Sequence, residues 1–122
     1  MRKLNPTVIS KCRTGNNVEL ILKVDDDIAF FQGHFPLHPI LPGVTQIHWA
    51  VQLASELLNT PTAFSCMEAV KFVEPVFPGC IMTLKIRWDP AREKLTFNYY
   101  SHPENKSEPV VHSSGRIQLN KS

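Results

Sequence analysis

The chain has 122 residues, 43% of them hydrophobic and 20% charged, with a net charge of +2; this is ordinary globular composition, and one domain over 1–122 is expected. The small positive surplus has no Lys/Arg run interleaved with aromatics, which argues against nucleic acid, and no apolar run approaches the ~20 residues of a membrane span. Three cysteines without a C-x-x-C pair argue against a disulfide framework or zinc knuckle, and the charged start MRKLNPTVIS has no apolar leader, so reduced thiols and a cytoplasmic location are expected.

In chain order, VISKCR, the turn residues TGNN at 14–17 and VELILKV at 18–24 read as a β-hairpin. In its second arm Val18, Leu20, Leu22 and Val24 alternate with polar Glu19 and Lys23, the mark of a half-buried strand. A proline-braced stretch, GHFPLHPILPG, then leads into a helical pattern over 44–59. On a 100° wheel Thr45, His48, Gln52, Ser55, Glu56 and Asn59 form one polar arc. The rest of the wheel is apolar except Gln46, so the helix should be largely engulfed by a sheet. Strands follow over roughly 64–73, 80–88, 94–101 and 109–119, with the kinked link EPVFPG at 74–79 between the first two. Strands, one helix, then four strands predict an α+β fold, an antiparallel sheet with a single helix across one face.

The segment FFQGHFPLHPILPGVTQIHWAVQ resembles the active-site segment of the β-hydroxyacyl-acyl carrier protein dehydratases of the FabZ/FabA type. Phe30, Phe31, Gly33, His34, Phe35, Pro36, Pro39, Pro42, Gly43, Val44 and Gln52 carry the match. A second stretch, AVKFVEPVFPGCIMTLKI, is similar to the family's K-F-x-x-PV-x-PGD-x-L signature, with Cys80 where an acid usually sits. The LPGVTQIHWA form looks most like the dehydratases of aryl polyene-type polyketide clusters. The resemblance implies the hotdog fold, a curved antiparallel sheet wrapped around one long helix. It also implies dehydration of (3R)-3-hydroxyacyl thioesters to trans-2-enoyl thioesters, without a cofactor.

Such a reaction needs a base for the C2 proton, a donor for the departing 3-hydroxyl and a stabiliser for the enolate oxygen. His34 is the candidate base, since imidazole titrates near neutral pH and the flanking prolines limit its loop. Gly43, at the helix start, offers a backbone N–H that by resemblance would polarise the thioester carbonyl. The family's helix acid falls fourteen residues after the histidine, and here that position is His48. An imidazolium donates a proton as a carboxylic acid does, but two imidazoles would then have to hold opposite protonation states. Gln52 would orient His48 or a water. Phe31, Phe35, Pro42 and Val44 are candidate substrate contacts. By resemblance His34 and His48 of one site come from two subunits, which implies a homodimer or larger homo-oligomer, or a heteromer with another dehydratase-like subunit.

Plainer readings stand beside these. His34 is otherwise a loop histidine capping local backbone, and His48 a solvated residue on the polar arc. Phe31 and Phe35 are otherwise core residues. Pro36 between His34 and His38 prevents helical spacing for a metal pair, and no third ligand is apparent. His102 and His112 read as surface and strand residues. Lys71, Lys85, Arg87, Arg92 and Arg116 would meet an acidic carrier protein or lie solvated. The competing functions are a catalytically weakened subunit that binds the acyl carrier protein beside an active dehydratase and, less favoured, a hotdog thioesterase.

Overall fold

In the computed structural model, residues 5–25, 40–104 and 107–120 are described. They form six strands and one helix: β1 Thr7–Thr14, β2 Asn17–Lys23, α1 Gly43–Leu58, β3 Ala63–Phe72, β4 Ile81–Asp89, β5 Lys94–Ser101 and β6 Val110–Asn120. All six strands join one antiparallel sheet in the order β1-β2-β4-β5-β6-β3. The layout matches the expected α+β arrangement, with element ends moved by a residue or two.

The β1–β2 turn depends on Gly15, whose φ of +60° suits glycine. Strand β2 alternates as its sequence demands: Val18, Leu20 and Leu22 are buried and the residues between them are exposed. Their inward face continues through Met82, Leu84, Ile86, Leu95, Phe97, Tyr99, Ile117 and Leu119, and packs on Ile47, Trp49, Ala50, Val51, Ala54 and Leu58 of α1. Each fully buried side chain of this size contributes about 1.5–3 kcal/mol, so the sheet and helix stabilise one another. The helix has no side-chain cap after Pro42, and it ends at Asn59 in the left-handed conformation, whose N–H reaches Ser55 O at 3.1 Å.

The first turn of α1 departs from the sequence wheel. Thr45, expected on the polar arc, is buried, and Val44, expected on the apolar side, is 74% exposed. Gln46 is buried but fully engaged. Its side-chain carbonyl accepts from Ser113 Oγ at 2.6 Å, its amide nitrogen donates to Leu41 O at 3.4 Å, and its backbone carbonyl accepts from the Tyr99 hydroxyl at 2.6 Å. These bonds rotate the first turn toward the sheet, because a buried polar group without partners would be costly.

Candidate active site

Residues 26–39, which include His34, Phe31 and Phe35, lie outside the described residues. The described part of the site is the helix entry and the elements around it. Leu41 N–H donates to Val76 O at 2.8 Å, and Pro42 O accepts from Thr45 and Gln46 at 3.1 and 3.3 Å. The amides of Gly43 and Val44 find no acceptor among the described residues, so two donors remain at the positive end of the helix.

Space beside Gly43 is tight. A Cβ at this position would lie 2.6 Å from Cε1 and Cζ of Phe72. The ring of β3 therefore lies directly against the helix entry, and any larger residue displaces it. His48 is exposed, one turn after exposed Val44 on the same side of the helix. Gln52, one further turn on, lines a cleft of about 190 Å³ with Asn5, Pro6, Val8, Trp49, Leu53 and Glu56. The structure thus keeps Val44 and His48 exposed on one helix side, with half-buried Gln52 a turn further on beside Val8 of β1.

Behind the entry stands a buried polar group that the sequence reading did not assign to the site. Cys80, where the second signature usually has an acid, has its Sγ 4.0 Å from His112 Nε2, and burial pushes this thiol up from its ordinary value. His112, expected as a plain strand residue, is buried. Its Nε2 also lies 2.9 Å from Ser101 Oγ, and its Nδ1 lies 3.2 Å from Glu74 O. No group of three or more metal-ligating side chains occurs among the described residues. No described helix is long and apolar enough to cross a membrane.

The profile of the ApeI-like family, described as ApeI dehydratase, matches residues 10–116. The chain belongs to the ApeI-like dehydratase family. It is 36% identical to a chain of the dehydratase heterocomplex ApeI:P from Xenorhabdus doucetiae, with a TM-score of 0.83 over 96% of this chain and 99% of that one. A protein of unknown role from Erwinia carotovora subsp. atroseptica is 34% identical, with a TM-score of 0.81 over 94% and 95% of the two chains. The FabZ 3-hydroxyacyl-[acyl-carrier-protein] dehydratase of Erythrobacter litoralis is 34% identical over 66% of this chain, which spans 60% of that relative's length. That of Roseiflexus castenholzii is 40% identical over 54% of this chain and 51% of its own length. The dehydratase domain of the polyketide PpsC from Mycobacterium tuberculosis, at 13% identity and a TM-score of 0.67, shares the fold alone. The ApeI-like chain therefore has the hotdog fold, its single helix packed on the antiparallel sheet.

Proposed function

We propose that this ApeI-like protein dehydrates (3R)-3-hydroxyacyl thioesters carried on an acyl carrier protein. His34 acts as base and His48 of the partner subunit stands in the acid's place. His34 takes the C2 proton, and the electron pair moves toward the thioester carbonyl, whose oxygen is held by the Gly43 N–H. His48 of the partner subunit, entering as imidazolium, protonates the C3 hydroxyl. The C3–O bond breaks, water departs and the C2=C3 double bond forms. His34 leaves the cycle protonated and His48 neutral, so solvent exchange resets both.

The observation that carries this reading is the helix entry: two amides with no acceptor among the described residues, and an exposed His48 a turn away. The same geometry supports a shared site. Strand β3 is a sheet edge exposed along most of its length, and Phe64, Met67 and Phe72 on it are 51%, 57% and 53% exposed. An edge strand of ten residues with apolar side chains invites pairing with another strand. Antiparallel pairing of β3 with its own copy is self-complementary under a two-fold axis. The substrate would be an alkyl or aryl-polyene acyl chain in the cytoplasm, on a carrier protein drawn to basic residues of the outer face.

A second reading is a carrier-protein-binding subunit beside an active dehydratase. The histidine in the acid's place favours it, and the Xenorhabdus relative is a dehydratase heterocomplex. One assay separates the two. The purified protein is given a 3-hydroxyacyl-carrier-protein substrate and the conjugated enoyl product is followed, with His34→Ala and His48→Ala alongside. Turnover by the wild type and loss in both variants is the expected result. No turnover with tight carrier binding overturns catalysis in favour of the subunit reading.

A further inference from the structure

Strand β6 bulges opposite β5. Tyr99 pairs with Ser113 and Tyr100 with Val111, leaving His112 between them without a partner on β5. The bulge turns two consecutive side chains, His112 and Ser113, into the interior. His112 faces the Glu74 carbonyl at 3.2 Å through Nδ1. A carbonyl only accepts, so Nδ1 carries the proton, and in the neutral ring Nε2 accepts from Ser101 Oγ at 2.9 Å. The backbone carbonyl of His112 accepts from Val73 N–H at 2.9 Å, so the strand and its ring hold the start of the 73–80 link twice.

That link in turn holds both flanks of the segment that carries His34 in the sequence. On one flank, Gly79 N–H donates to Val24 O at 2.6 Å and Val24 N–H to Cys80 O at 2.8 Å. On the other, Val76 O accepts from Leu41 N–H at 2.8 Å. Ser113, next to His112, reaches the same point by a second route: its hydroxyl binds Gln46, whose amide donates to Leu41 O at 3.4 Å. Both polar groups of Leu41, two residues before Gly43, are therefore fixed from one bulge.

Resting on the dehydratase reading above, we infer that His112 is a positioning residue for the reaction, holding through the Glu74–Cys80 link Val24 and Leu41, which flank the His34 segment in the sequence, the latter two residues before the helix entry at Gly43. The imidazole touches no substrate. It acts by keeping the link in one place, and catalysis by positioned groups is sensitive to displacements of an ångström or less.

The test compares three variants with the wild type. His112→Asn keeps a donor near the Nδ1 position and loses the Ser101 contact. His112→Gln keeps an acceptor near Nε2 and loses the donor to Glu74. His112→Ala loses both. Expected is a fall in kcat of about 10- to 100-fold in the Gln and Ala variants, with KM changed less than about threefold and Asn close to wild type. Amide hydrogen exchange is read in parallel: protection at Val24, Leu41 and Gly79 falls about tenfold in Gln and Ala, while Leu20 and Leu84 keep theirs. The Asn and Gln pair keeps the test decisive even where the alanine variant does not fold. Gln equal to wild type in kcat, or protection lost across the whole sheet at once, overturns the inference. A wild type without turnover overturns the dehydratase reading instead, and is distinguished by the unmutated control.

Discussion

Ser113→Ala probes the buried bond that turns Gln46 inward. Ser113 and Gln46 are both buried, and the hydroxyl donates to the Gln46 side-chain carbonyl at 2.6 Å. Removing the hydroxyl leaves that carbonyl in a place water does not reach, which costs about 1–3 kcal/mol. At about 2.1 cal/mol/K per residue over 122 residues, the unfolding entropy is about 0.26 kcal/mol/K. Each kcal/mol then lowers Tm by about 4 °C, and Ser113→Ala should lower it by about 4–12 °C. The second half of the cycle is Gln46→Leu. On the Ser113→Ala background it removes the orphaned acceptor, so it should cost at least about 1 kcal/mol less there than in the wild type, where it also takes the donor from Leu41 O, and the two changes are not additive. Circular-dichroism melts and urea titrations of the four proteins give the cycle. A Ser113→Ala loss under about 0.5 kcal/mol, or strict additivity, would refute the placement of Gln46 as a buried, bonded residue.

Two other predictions concern the site. In Gly43→Ala the new methyl meets the far end of the half-exposed Phe72 ring, which can swing outward, while alanine gains up to about 1 kcal/mol of helix preference. Stability should stay within about 1 kcal/mol and kcat/KM should fall at least about tenfold, as methyl and ring crowd the amide. A stable variant with full activity would remove Gly43 from the proposed site. For the cysteines, exposed Cys12 and Cys66 should be alkylated by iodoacetamide at pH 8 well before Cys80. Thiolate is the reacting form, and burial raises the Cys80 thiol, so less of it is ionised at that pH and the gap narrows as pH rises. Peptide mass spectrometry reads the order, and equal rates at pH 8 would contradict the burial.

The architecture was legible because each strand of the sheet announces itself locally. Val18, Leu20 and Leu22 alternate with charged or exposed neighbours, and the Thr14–Asn17 turn carries a glycine where positive φ is needed. The helix was legible from its wide apolar arc, but its first turn was not. The wheel weighs each side chain alone, and could not foresee that Ser113, Tyr99 and Leu41 would supply partners for a buried Gln46. Gly43, His48 and Gln52 were singled out by motif, and the structure sets Gly43 at the helix start with Phe72 against it. His112 was missed for a physical reason. A bulge moves a residue from one face of a strand to the other, and alternation along VVHSSGRIQL carries no sign of where the partner strand skips. The one local hint was two small hydroxyl residues, Ser113 and Ser114, beside a histidine where the strand's alternation breaks.

The shared two-chain site is tested most directly by mixing. His34→Ala and His48→Ala proteins are purified separately, shown to be inactive alone, then unfolded together at equal amounts and refolded. Half of the randomly formed dimers are mixed, and each mixed dimer holds one site with both histidines intact. The expected dehydratase activity is therefore about a quarter of wild type per chain. A mixture as inactive as its two parents would contradict a site built from His34 of one subunit and His48 of the other.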